Sequence, residues 1–234
     1  MKRFSIRILN LVIGIFLYAL GIVLTLKANI GYAPWEVFHV GLALTTGMTI
    51  GVASIIIGVV IVIIVTVCGE KIGLGTVSSM VLTGVFIDLI IMLNIIPLAT
   101  NVTVGIVMLL TGLFVIALGS YYYMKSAFGA GPRDNLMVVL KRKTKMPVGF
   151  CRSIVELSAT LAGWLLGGMV GIGTVISIFG IGLCIQLIFT LFKFDTSAVA
   201  HETINQTYER NKYPFIISVL TIIALSLIFY FFQK

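Results

Sequence analysis

The feature that most constrains this chain is a succession of apolar runs, each about as long as a helix that crosses a bilayer, roughly 20 residues. They cover about 8–26, 49–68, 74–96, 103–124, 148–166, 172–192 and 213–232. Only 10% of the residues are charged, where a soluble domain carries about 25%. Seven such runs nearly exhaust 234 residues, so no separate soluble domain of usual size fits. The expected fold class is an all-α polytopic membrane protein, one transmembrane domain over 1–234 with seven transmembrane helices. Lys2, Arg3 and Arg7 precede the first run as they would in a signal peptide. The run is too long for a cleaved segment, however, and it has a counterpart in mid-chain.

With the N-terminus inside, every Lys and Arg except Lys27 and Lys234 falls on one side of these spans. This predicts a cytoplasmic N-terminus and an external C-terminus. The formal charge of +8 then belongs to membrane-flanking cations that meet anionic lipid heads, not to a nucleic-acid surface. Cys68, Cys151 and Cys184 lie in apolar runs without ligand spacing and read as small core residues. His39 and His201 suggest no metal set. Neither HExxH nor GxSxG occurs, so no enzyme, cofactor or metal is expected.

Sliding the chain against itself by 98 positions aligns 11–89 with 109–187 without a gap. The matches include Gly14/Gly112, Gly21/Gly119, Lys27/Lys125, Gly31/Gly129, Pro34/Pro132, Gly51/Gly149, Gly73/Gly171 and Thr76/Thr174. Agreement concentrated on glycine, proline and lysine indicates duplication. Each copy holds three spans, an odd number, so the second must enter the membrane from the opposite face. That predicts two inverted three-helix repeats, about 8–98 and 103–195, the pattern of many secondary transporters. The span at 213–232 has no partner.

Two motifs recur. Lys27…Gly31-Tyr32-Ala33-Pro34-Trp35-Glu36 and Lys125…Gly129-Ala130-Gly131-Pro132-Arg133-Asp134 each place a bend, a proline suited to a first helical turn, and an acid that favours a helix N-terminus. Short helices are expected at about 34–45 and 132–143. They either lie in the interface or bring two half-helices to a central cavity. The second motif is Gly69…Gly73-Leu74-Gly75-Thr76 and Gly167…Gly171-Ile172-Gly173-Thr174. These turns serve close helix approach through small residues, or an anion site at the helix N-termini.

Ionisable groups within spans are functional suspects. Asp88 sits deep in the third span and its repeat mate is Gln186. Arg152 and Glu156 are spaced to pair on one helix face.

The repeated Lys-x3-Gly-x2-Pro segments and Gly-x-Gly-Thr turns resemble those of the YczE/YyaS/YitT family of bacterial integral membrane proteins, over about residues 8–195. The resemblance implies a polytopic helical fold in the bacterial plasma membrane and assigns no substrate. On the residues themselves, the expected function is a secondary transporter or permease for a small solute, anionic or zwitterionic, bound between the repeats. Asp88, Gln186, Glu36, Arg133, Asp134, Arg152 and Glu156 are the candidates for solute binding or for proton or ion coupling. The alternative is a scaffold or assembly factor that recruits a cytoplasmic partner or anionic lipid through the basic loop 141–145.

Overall fold

The structure is a computed structural model that describes residues 2–194, 199, 202–210, 212, 216 and 219. The span expected at 213–232 lies outside the described residues apart from Ile216 and Val219, as does His201. The described secondary structure is helical throughout. Its elements are α1 (Lys2–Lys27), α2 (Pro34–Thr46), α3 (Ile50–Val67), α4 (Leu74–Leu93), α5 (Val102–Lys125), α6 (Pro132–Thr144), α7 (Val148–Leu165), α8 (Ile172–Leu191) and α9 (Ile204–Arg210). Five of them, α1, α3, α4, α5 and α8, are long and apolar enough to cross a membrane. The helix at the expected fifth span, α7, matches α3 in length at 18 residues. It falls short in apolarity because it carries Arg152, Glu156 and several hydroxyls.

The helix boundaries recur with the sequence. α6, α7 and α8 each begin and end 98 positions after α2, α3 and α4, and α5 ends 98 positions after α1. The local causes recur as well. Gly31 and Gly129 take positive φ values of 109° and 122°, a region open to glycine. Pro34 and Pro132 then start α2 and α6, with Glu36 and Asp134 in the first turns. Both short helices run a residue or so beyond the expected bounds, to a left-handed cap at Gly47 and at Lys145.

Two crossings join the halves. In the first, α1 and α5 pack through glycines, Gly14 against the backbone of Gly119 and Gly21 against that of Gly112. Rising numbers on one helix meet falling numbers on the other, so the two run antiparallel. Any Cβ at these four positions would meet backbone or buried side chain, the close approach that small residues permit. Around this contact Ala19, Ile22, Val23, Ile87 and Ile116 form a buried apolar core. In the second crossing the Gly75 N–H donates to the Phe128 carbonyl and the Gly173 N–H to the Ile30 carbonyl, both at 2.7 Å. Subtracting or adding 98 converts each bond into the other.

The outer packing is unequal. α3 packs along α4, whereas among the described residues the equivalent α7 has no comparable contact with α8 and lies against α2 instead. The sequence supplies a reason. Gly41 of α2 and Gly163 of α7 touch backbone to backbone, while the repeat-equivalent positions in α6 and α3 are Val139 and Val65, buried together in an apolar cluster. Two valines hold α6 and α3 apart where two glycines let α2 and α7 close.

Candidate functional site

The first turns of α2 and α6 meet at a cavity of about 150 Å³ between the halves. Most of its lining comes in pairs 98 positions apart, such as Glu36 with Asp134, Ser54 with Arg152, Gly58 with Glu156 and Ser79 with Ser177. Of the alternatives for the short helices, this geometry is the convergent one. The N–H groups of a helix's first turn have no partners within the helix, and here the residue in the first turn of each is an acid.

Glu36 is only 4% exposed and faces the Arg133 guanidinium at 3.6 Å. This ion pair links the N-terminus of α2 to that of α6. The other terminal nitrogen of Arg133 lies 3.3 Å from His39 Nε2, and its guanidinium carbon sits 4.8 Å from the centre of the Trp35 ring. Arg133 is thus held by a carboxylate, an imidazole and an aromatic face. Arginine only donates, so His39 Nε2 must be the acceptor and the neutral ring carries its proton on Nδ1. That Nδ1 is buried and has no hydrogen-bond partner among the described residues.

On the opposite wall Asp134 accepts a hydrogen bond from the Tyr123 hydroxyl at 2.6 Å, and the Tyr18 ring packs edge-on against Tyr123. Arg152 Nε donates to Glu156 at 2.8 Å. Ser177 Oγ, fully buried, has no partner among the described residues. The cavity therefore holds three acids and two arginines at its wall, with two unsatisfied buried polar atoms.

A second, open cleft lies where α7 stands away from α8. It is lined by Arg152, Gln186, Thr190, Lys193 and the Phe189 and Phe194 rings. Arg152 borders both spaces. The cleft opens on the side that carries Lys193 and the basic segment 141–145.

Five of the seven candidate residues, Glu36, Arg133, Asp134, Arg152 and Glu156, therefore line one cavity, and Gln186 lines the cleft beside it. Asp88 lies elsewhere. It is 6% exposed and its carboxylate is spent on the first turn of α3, accepting from Thr49 Oγ1 at 2.5 Å and from the Gly51 N–H at 2.8 Å. The glycine-threonine turns are likewise committed to protein. Thr76 donates to the Ala130 carbonyl at 2.7 Å, and Thr174 accepts from the Gly171 N–H at 3.1 Å. A Cβ on Gly73 or Gly171 would collide with the other half, at the Phe128 and Ile30 carbonyls respectively. Among the described residues no cluster of His, Cys, Asp and Glu is placed to hold a metal.

Trp35, His39, Tyr123 and Ser177 join the site without having been singled out from sequence. Trp35 and His39 carried a usable signal, since both follow Pro34 on the first two turns of a helix whose start is fixed by the motif. Tyr123 and Ser177 carried none, because their role depends on the crossing of the halves.

The Family of unknown function (DUF6198) matches residues 5–190. The chain is 36% identical over 177 residues to the uncharacterized membrane protein YczE of Bacillus subtilis, an alignment that covers 74% of this chain and 80% of that one. It is 31% identical over 184 residues to an uncharacterized protein of Haemophilus influenzae, covering 76% and 84%. It is 29% identical over 170 residues to the uncharacterized protein YyaS of Bacillus subtilis, covering 71% and 84%. No solved structure matches the chain.

Proposed function

The chain belongs to the DUF6198 family and is similar to an uncharacterized membrane protein, and on that premise we propose that it is a secondary transporter or permease of the plasma membrane. Its site for a small solute is the cavity between two inverted repeats. The observation that carries this reading is the meeting of two half-helix N-termini and five charged side chains in one enclosed space. Charged groups are costly inside a membrane and mark solute or ion pathways, and discontinuous helices at a repeat interface are a recurring transporter device.

The contacts support the inversion. Antiparallel α1 and α5 meet through Gly14/Gly119 and Gly21/Gly112, pairs that exchange with each other on adding or subtracting 98. A two-fold axis that swaps two antiparallel membrane helices lies in the membrane plane. Unequal closure supports alternating access. One pair, α3 and α4, is shut and held by Asp88. Its equivalent, α7 and α8, stands apart and gives the cavity a cleft on the basic side, which the charge distribution assigns to the cytoplasm.

Asp88, on this reading, is a gate residue and not a solute ligand. The scaffold alternative draws less from the geometry, because Arg142 in the basic segment is engaged by Glu70 at 2.7 Å and by the Cys68 carbonyl.

The test is uptake of radiolabelled solutes, a panel of amino acids and short carboxylates, into proteoliposomes. Wild-type protein should give a solute uptake that Glu156→Gln abolishes, while joint neutralisation of Lys141, Arg142, Lys143 and Lys145 leaves it within about twofold. Uptake insensitive to Glu156, or none with any solute, would overturn the reading.

A further inference from the structure

The cavity wall can be taken charge by charge. Arg133 is fully committed to Glu36, His39 and Trp35. Glu36 is answered by Arg133, and Glu156 by Arg152 Nε. Two groups are left partly unanswered. Glu156 takes only one edge of the Arg152 guanidinium, whose two terminal nitrogens donate to no acceptor among the described residues. Asp134 receives one neutral donor, the Tyr123 hydroxyl on Oδ2, and feels the Arg152 charge across the cavity, but no described cation reaches ion-pair distance of it.

Resting on the transporter reading above, we propose that the solute is a small zwitterion, with its cationic nitrogen at Asp134 and its anionic oxygens at Arg152. Arginine's planar donors suit a carboxylate or sulfonate, which can take two parallel hydrogen bonds. The deeper end of the cavity suits a cation, because acids outnumber arginines by one there and the Tyr18 and Tyr123 rings lie alongside.

Entry fixes the orientation. Arg152 is the residue shared by cavity and cleft, and Lys193 lies further out in the cleft with no acid among the lining residues. The solute passes the cleft with its nitrogen leading, and its anionic end stops at Arg152. The buried His39 Nδ1–H and the Ser177 hydroxyl, both without partners among the described residues, are available to polar atoms along its length. A space of about 150 Å³ is the size that takes benzene in an engineered protein core, so a molecule of roughly six to nine heavy atoms fits.

Isothermal titration of the detergent-purified full chain with ω-amino acids of three, four and five carbons tests this, each against the carboxylate and the amine of the same carbon number. At the best length, the zwitterion should bind at least tenfold more tightly than either single-charge analogue. Arg152→Gln/Glu156→Gln, which removes both members of the pair and leaves no stranded charge, should erase the advantage over the amine. Asp134→Asn, which retains an acceptor for Tyr123, should erase the advantage over the carboxylate. Equal binding of all three compounds, binding of none, or retention of both preferences in both variants would overturn the proposal. Uptake of the same compounds into proteoliposomes separates the two readings. Zwitterion binding without uptake refutes transport and leaves the solute class standing, whereas uptake of all three charge types refutes the class and leaves transport standing.

Discussion

Buried charge governs behaviour at the scale of single residues. Removing one partner of a buried ion pair strands the other, at a cost of about 3–5 kcal/mol. Glu36→Gln should therefore destabilise the protein strongly by stranding Arg133, and adding Arg133→Gln should recover part of the loss. Thermal unfolding of the single and double variants in detergent checks this, and additive losses would show that the pair does not couple. Asp88 is a milder case. Asp88→Ala leaves the buried Gly51 N–H without its acceptor, worth about 1–3 kcal/mol. Asp88→Asn keeps an acceptor and should cost less. Equal losses would place the role of Asp88 outside this bond. The sequence marked Asp88 as suspect by its depth, and depth cannot tell a ligand from a helix tie. The deciding fact is that Thr49 and Gly51, at the start of the preceding helix α3, come within reach of its two oxygens. His39 is the converse, set aside from sequence for want of a metal set because its partner Arg133 lies 94 positions away.

Among elements, glycine decides which helices close. Gly163 of α7 abuts the Val37 and Phe38 backbone of α2, so Gly163→Val should drive α7 off α2 and toward α8. Disulfide trapping reads this in a background with Cys68, Cys151 and Cys184 replaced by Ala. The pair Thr49→Cys/Asp88→Cys, at the closed α3–α4 contact, should cross-link readily. The equivalent pair Pro147→Cys/Gln186→Cys should cross-link slowly, and severalfold faster once Gly163→Val is added. No acceleration would mean that the glycine contact does not set the position of α7. The short helices were legible because proline, glycine and acid fix a helix start locally. Their convergence was not, since it depends on how the halves cross. The inequality between α3–α4 and α7–α8 was hidden for a related reason. Gapless repeats suggest equal packing, and single changes such as Gly41 and Gly163 to Val139 and Val65 break it.

At the scale of the whole molecule, orientation is the exposed assumption. Reporter fusions after residues 71 and 143 should report cytoplasm, and those after 99, 169 and 234 the exterior, because cations gather on the side of the N-terminus. An internal C-terminus would remove the seventh span, and identical reports from 71 and 169 would remove the inversion. The all-helical class and the 98-residue spacing of the helix bounds were readable in the sequence because bilayer thickness and duplication both leave regular spacing. Five of the seven expected spans are long and apolar enough among the described residues. The cavity was readable only as a set of candidates. One feature bears on energetics. The closed contact uses Gly51 and Gly84, each against the other's backbone, and their equivalents are Gly149 and Gly182. A side chain at Gly182 would meet nothing among the described residues. The second half thus retains both glycines in sequence, with Gly182 standing open. Besides the Gly41–Gly163 contact that α7 would give up, closure of that half would differ from the first where Pro147 replaces Thr49 and neutral Gln186 replaces Asp88, a loss of one charge-assisted hydrogen bond, or about 1.5–3 kcal/mol. A difference of that size corresponds to an equilibrium ratio of roughly 10- to 150-fold at room temperature. The resting protein would be poised, with its minor form populated at the per cent level and within reach of any solute that binds it a hundredfold more tightly.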